Sequence, residues 1–208
     1  QGLATRKPVV LVGKGVTYDS GGLDTKPHPA GLDMKMDMSG GVAVIAAILA
    51  AENLKLKKNI VALIPAVENM PSGDSMRPGD IIRMMDGTNV EIGHTDAEGR
   101  LILADALTFA KSFKPEYVID VATLTGAAMV ALGERASAFF TDNEDLSQKV
   151  GALSEKTGDY MWRLPLWDEY AQEIESTHGD IANIRTKGSA GVGGAITAAL
   201  FLKHFARD

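Results

Sequence analysis

The 208-residue chain contains no cysteine, which excludes disulfides and thiolate metal sites and fits a reducing compartment. It has no H-E-x-x-H, and His28, His94, His178 and His204 are scattered without ligand spacing, so the usual zinc-protease pattern is missing. The nucleotide-binding glycine patterns G-x-x-x-x-G-K-[ST] and G-x-G-x-x-G are missing as well. Long apolar runs are lacking: the longest, GGVAVIAAILAA at 40–51, is too short to span a bilayer. The start, QGLATRKPVVLVG, has a basic pair but no long apolar h-region or cleavage site. Basic charge is not in excess: the net charge of −6 argues against nucleic-acid binding as the main function. These absences lead us to expect a soluble cytoplasmic protein that does not engage the membrane.

What is present is enough apolar sequence, 45% of the chain, for one well-packed core. Continuous apolar runs at 8–13, 59–67 and 117–123 read as buried strands. Short strands flank the Asp86-Gly87 turn, and 135–140 offers a fourth. Helical patterns cover 38–52, 97–113, 143–157, 166–176 and 192–206, with a short helix from 124. Strands alternating with helices indicate an α/β fold: three layers, with a mostly parallel central sheet flanked by helices. In such sheets ligands collect beyond the carboxyl ends of the strands. Lys14, Glu68, Thr95 and Thr123 follow the successive strands, so the polar loops fall where a site belongs.

Three polar clusters stand out. In HTDAEGRL (94–101), Thr95-x-x-Glu98 matches a capping box for the following helix, which leaves Asp96, Gly99 and Arg100 without a role. In GKGVTYDSGGLDTKP (13–27), Lys14, Asp19 and Lys26 sit among glycines that let a backbone approach a ligand closely. In LDMKMDMSGG (32–41), methionines alternate with charges at period two, the pattern of a half-buried strand, and Asp37 stands at the entry to the Ala-rich helix. Read one at a time, each cluster is also compatible with an ordinary cap, loop or strand. Together they bring the carboxylates of Asp19, Asp37, Asp96 and Glu98, with Lys14, Lys26 and Arg100, to the expected strand ends, and carboxylates bridge divalent metals used in hydrolysis.

Taken together, these stretches resemble the leucine aminopeptidase (cytosol aminopeptidase) family. Its signature is N-T-D-A-E-G-R-L; residues 95–101 match it and His94 replaces the Asn. VGKGVTYDSGG, KP, MKMDMSGG and DVATLTGA match in the family's order, so the likeness covers nearly the whole chain. The resemblance implies a two-metal aminopeptidase that removes an N-terminal residue, leucine-like by preference, from peptides with a free N-terminus, using a water held between the metals. It implies that Lys14, Asp19, Asp37 and Glu98 hold one ion and that Asp19, Asp96 and Glu98 hold the other, with the Asp96 carbonyl contributing. Zinc or manganese, or else magnesium or cobalt, suits an oxygen-rich set. Four carboxylates balance the charge of two dications. Lys26 is expected to polarise the scissile carbonyl and Arg100 to hold a bicarbonate ion as general base. Met34, Thr123 and Gly126 are expected to line the first pocket, Leu124 to accept a substrate hydrogen bond through its backbone, and His94 to border the second substrate residue.

The family also carries an N-terminal domain and further C-terminal elements. The resemblance therefore implies that 1–208 is a catalytic domain without that N-terminal domain and shortened at its C-terminus, from a protein that forms a homohexamer. The alternative on the same scaffold is an inactive or DNA-binding protein, since some family members bind DNA. Trp162, Trp167 and Tyr170 read as core or interface, Asp105 as a buried hydrogen-bonded carboxylate, and 188–196 as a tight loop opening the last helix.

Overall fold

The computed structural model describes residues 6–189 and 191–206. In chain order the strands and helices are β1 (Val9–Gly13), β2 (Gly15–Asp19), α1 (Ser39–Asn53), β3 (Ile60–Leu63), β4 (Ala66–Asn69), β5 (Ile81–Arg83), β6 (Asn89–Glu91), α2 (Gly99–Ala110), β7 (Tyr117–Val121), α3 (Gly126–Leu132), β8 (Ser137–Phe139), α4 (Glu144–Thr157), β9 (Met161–Arg163), β10 (Ile181–Ala182) and α5 (Gly194–Ala206). Short 3-10 helices cover Ala30–Met36, Lys111–Phe113 and Asp168–Ile174.

The centre is a parallel sheet in the order β3-β1-β7, with Val9 opposite Ile60 and Tyr117. Alternation along β1 sends Val10 and Val12 into the main core, where Leu103, Ala104 and Leu107 of α2 meet Phe201 and Phe205 of α5. The opposite face receives α1. There Gly13 and Gly41 touch: a Cβ on Gly13 would lie 2.6 Å from the Gly41 Cα, so only glycine permits this approach. The expected three-layer α/β architecture is therefore present: α1, a parallel sheet, then α2 backed by α5. Smaller sheets surround it, β2-β4 and β8-β9 parallel, and β10-β6-β5 with an antiparallel β5–β6 pair.

Several local expectations are corrected. The 59–67 run divides into β3 and β4 at Pro65, which lacks the N–H needed for a continuous ladder. The glycine-rich 13–27 stretch, whose glycines suggested only a loop, contains the strand β2. The alternating 32–38 stretch is not a strand: Leu32 N–H donates to the Pro29 carbonyl and Asp37 N–H to that of Met34, forming 3-10 turns after two prolines. The 166–176 helix is only a 3-10 segment, and β9 and β10 were too short for periodicity to reveal. Trp162 and Trp167 are exposed, whereas Tyr170 packs on the core. Asp105 is half-buried and accepts the Met85 N–H. The 188–196 loop is described except at Ala190, which lies outside the described residues.

The helical stretch Ala30–Asn53 is long and apolar enough, by length and composition only, to cross a membrane. Its helical continuation ahead of 40–51 makes it longer than the apolar run read from sequence. In the fold, Gly40, Gly41 and Val44 of this stretch are buried where α1 meets the sheet.

Candidate active site at the strand ends

The carboxyl ends of β1, β4, β6 and β7 deliver the polar residues. Lys14 links β1 to β2, and its backbone is fixed on both sides: its N–H donates to the Val121 carbonyl and its own carbonyl accepts from Gly41. The Lys14 ammonium is buried and lies 2.7 Å from Asp37 Oδ2, 3.0 Å from Glu98 Oε1 and 3.0 Å from the Thr123 carbonyl. Thr123 Oγ1 in turn donates to Asp37 Oδ1 at 2.8 Å, so Thr123 holds the Asp37 carboxylate.

A second lysine completes the arrangement. Lys26 Nζ sits 2.9 Å from Asp19 Oδ2 and also contacts Asp96 Oδ1. Asp19 Oδ1 accepts from the Gly21 N–H at 2.9 Å and from Asn69 Nδ2 at 2.8 Å. One carboxylate oxygen from each of Asp19, Asp96 and Glu98 lies within 4.8 Å of the others. Asp37 is not part of that trio and joins it through Lys14.

The 93–98 turn does not form the capping box. Helix α2 begins at Gly99, Glu98 occupies the N-cap position in an αR conformation, and no side chain caps the helix. Thr95 Oγ1 donates to the Gly21 carbonyl at 2.6 Å and accepts from the Asp24 N–H at 2.8 Å, while Thr95 N–H donates to Asp24 Oδ2. These bonds tie the turn to the glycine loop and leave the Glu98 side chain free to enter the site. Gly99 has a steric role: a Cβ there would lie 2.7 Å from Lys14 Nζ. His94 is exposed, and its Nδ1 accepts the Asp96 N–H at 3.1 Å.

Burial and pairing split the acids. Burial raises the Glu98 pKa, and the Asp19 charge adds to this, with Lys14 opposing. Burial likewise raises Asp96 against the pull of Lys26. Burial also acts to raise Asp19, but its bonds from Lys26, Asn69 and Gly21 outweigh this and lower it. For Lys26, burial opposes the charge, but Asp96 and Asp19 outweigh it and raise the pKa. Arg100 is 8% exposed. Burial lowers its pKa to about 10, with Glu98 opposing, and its Nε has no hydrogen-bond partner.

Met34 is half-buried in the 3-10 helix and Leu124 packs against the core. Gly126 opens α3 onto free space, with no atom within 4 Å of where a Cβ would stand. A cavity of about 450 Å³ adjoins Lys26, lined also by Tyr18, His28 and Lys35. Sequence reasoning named Glu68 at the end of the second strand. In the fold Glu68 is exposed, and it is its neighbour Asn69 that is buried and reaches Asp19. Asn69, Asp24 and Asn183 were all missed; no local motif marks them.

Comparison with known proteins identifies the family. The sequence profile of the cytosol aminopeptidase family, catalytic domain, matches residues 1–208. A probable cytosol aminopeptidase of Shewanella loihica is 48% identical over 204 residues, covering 98% of this chain and 40% of that relative. One of Syntrophotalea carbinolica is 49% identical over 207 residues, covering 100% and 41%. Among solved structures, the cytosol aminopeptidase of Coxiella burnetii superposes with a TM-score of 0.93 at 43% identity, covering 99% of this chain and 44% of that one. The bottromycin maturation enzyme BotP in complex with Mn gives 0.91 at 45% identity, covering 98% and 44%. The chain thus spans about two fifths of the length of the curated relatives it matches. With a match along its full length and a shared fold, the chain belongs to the cytosol aminopeptidase family.

Proposed function

We propose that this chain forms the catalytic part of a two-metal aminopeptidase that removes the first residue, leucine-like by preference, from peptides with a free N-terminus. The observation that carries this reading is the convergence of Asp19, Asp96 and Glu98 within 4.8 Å at the strand ends. The residues fit divalent ions. Asp37 Oδ2, Asp96 Oδ1 and Glu98 Oε1 are buried and meet a lysine at ion-pair distance, yet receive no well-formed hydrogen bond. Such oxygens are available to a cation.

In this reading Lys14, Asp19, Asp37 and Glu98 hold one ion, and Asp19, Asp96 and Glu98 hold the other, with the Asp96 carbonyl. Manganese or zinc is the proposed metal, with magnesium or cobalt also compatible with the donor set; the similar BotP was solved with Mn. Bound ions supply an acidified water and a Lewis acid. Lys14 would ligate an ion only through a neutral amine nitrogen. Lys26, held between Asp19 and Asp96, is placed to stabilise the oxyanion that develops on the scissile carbonyl. Arg100, a buried cation whose Nε has no hydrogen-bond partner, is the proposed seat of a bicarbonate proton acceptor. Met34, Thr123 and Gly126 border the first side-chain pocket, the Leu124 backbone accepts from substrate, and His94 borders the second residue. A cytoplasmic homohexamer is proposed for the full-length protein; exposed Val42, Ile45 and Leu49 on α1 and Val130 on α3 supply apolar surface for assembly.

Hydrolysis of a leucyl peptide with Mn²⁺, beside its N-acetylated twin, tests the reading. Cleavage of the free-amine peptide alone, abolished by chelator and by Asp96→Ala, is expected. Equal cleavage of both peptides, or cleavage that survives chelation, would refute it.

A further inference from the structure

Asn183 follows β10 and is completely buried. Its backbone N–H donates to the Glu91 carbonyl, which seats it beneath the turn that leaves β6. Its side chain spends every hydrogen bond on that turn. Oδ1 accepts from the Gly93 N–H at 2.8 Å and the His94 N–H at 3.3 Å. Nδ2 donates to the His94 carbonyl at 2.7 Å and the Ala97 carbonyl at 3.3 Å. A primary amide has two donors and an acceptor oxygen with two lone pairs, so its capacity is filled by the backbone of residues 93–97. All four bonds would be unmade in water-free surroundings if the turn took another path, which is costly for a buried polar group. From the other side, Asn69 Nδ2 donates to the Thr95 carbonyl at 3.0 Å. The segment so held carries Asp96 and leads directly into Glu98.

We propose that Asn183 is a positioning residue for the metal centre: its side-chain amide fixes the path of residues 93–97 so that the Asp96 and Glu98 carboxylates face Asp19. It acts through backbone atoms and touches neither metal nor substrate. The proposal rests on the two-metal reading above, since positioning matters here only if those carboxylates bind cations.

The test is the Mn²⁺ affinity of the intact protein and of its Asn183→Ala variant, measured by calorimetry, with thermal melts in chelator alongside. Loss of an outer residue that orients metal ligands typically weakens binding roughly 10–100-fold, and that weakening is expected here. A folded variant that binds Mn²⁺ as tightly as the parent overturns the proposal while leaving the metal reading intact. A parent protein that binds no Mn²⁺ overturns the metal reading and the proposal with it. Should Asn183→Ala fail to fold, hydrogen exchange on the unaltered protein decides. Coupling is reciprocal, so bound Mn²⁺ must tighten the Asn183 bonds, and exchange at Gly93 and His94 is expected to slow by roughly the same 10–100-fold. Exchange there that is identical with Mn²⁺ and with chelator overturns the proposal.

Discussion

The 93–98 turn and the 27–36 segment both border the carboxylate cluster, yet they are held in opposite ways. The turn is gripped from a distance: Asn69, Asn183 and the glycine loop bond its backbone and Thr95. The 27–36 segment is held mainly by its own short-range bonds, such as Ala30 to Pro27 and Leu32 to Pro29, with the Tyr18 hydroxyl donating to the Gly31 carbonyl. It leaves Leu32 70% and Met36 50% exposed. The difference separates two tasks. Carboxylates that must converge on small ions need a fixed backbone, whereas a segment beside an open cavity can be held loosely.

Substitutions can break or sharpen this contrast. The largest effect is expected for Lys26→Ala, because Lys26, at the junction of the glycine loop with the 27–36 segment, pairs with both Asp19 and Asp96. Removing one oxyanion-stabilising group typically costs about 10²–10³ in kcat, or roughly 2.7–4 kcal/mol, and steady-state kinetics at saturating Mn²⁺ will read it. Next is Gly99→Ala at the end of the rigid turn, where the new methyl group must displace Lys14. Overpacking of this kind costs about 1–3 kcal/mol, to be measured by urea melts in chelator.

Asp24→Asn is a smaller change that loosens the turn's tie to the glycine loop. The Thr95 N–H bond, with burial opposing, holds the Asp24 carboxyl below its usual range. A lowered acid contributes stability above its unfolded pKa of about 3.9 and loses it as the pH falls through the folded value. The variant should therefore be less stable by about 1 kcal/mol at pH 7, and the gap should close in strong acid; melts across pH 2–7 check the sign. The smallest effect is expected for Met36→Ala on the loosely held segment, within about 0.5 kcal/mol of the parent. A loss there as large as that of Gly99→Ala would erase the contrast.

The residues that were legible in the sequence share one property: their chemistry is packed into short stretches. Lys14 and Asp19 lie in one run, and Asp96, Glu98 and Arg100 in another. The long apolar runs of β1 and β7 likewise announced the parallel sheet. What escaped depends on partners far along the chain. Asn183 bonds residues about 90 positions away, and Asn69 reaches Asp19 across 50. Each bonds backbone or a single side chain and so leaves no local pattern. The capping box failed for a related reason: Thr95 has better partners in Gly21 and Asp24, and Glu98 is drawn to Lys14 instead of its own helix end. Period two in 32–38 gave way to turns started by prolines, and Pro65 divided a run that hydropathy alone joins.

The central claim, that this cluster of carboxylates holds the metals of an aminopeptidase, is tested most directly by the stoichiometry of Mn²⁺ binding to the unaltered protein and to Asp96→Ala. Two ions per chain are expected in the first and at most one in the second. No tight binding to the unaltered protein, or the same stoichiometry in both, would contradict it.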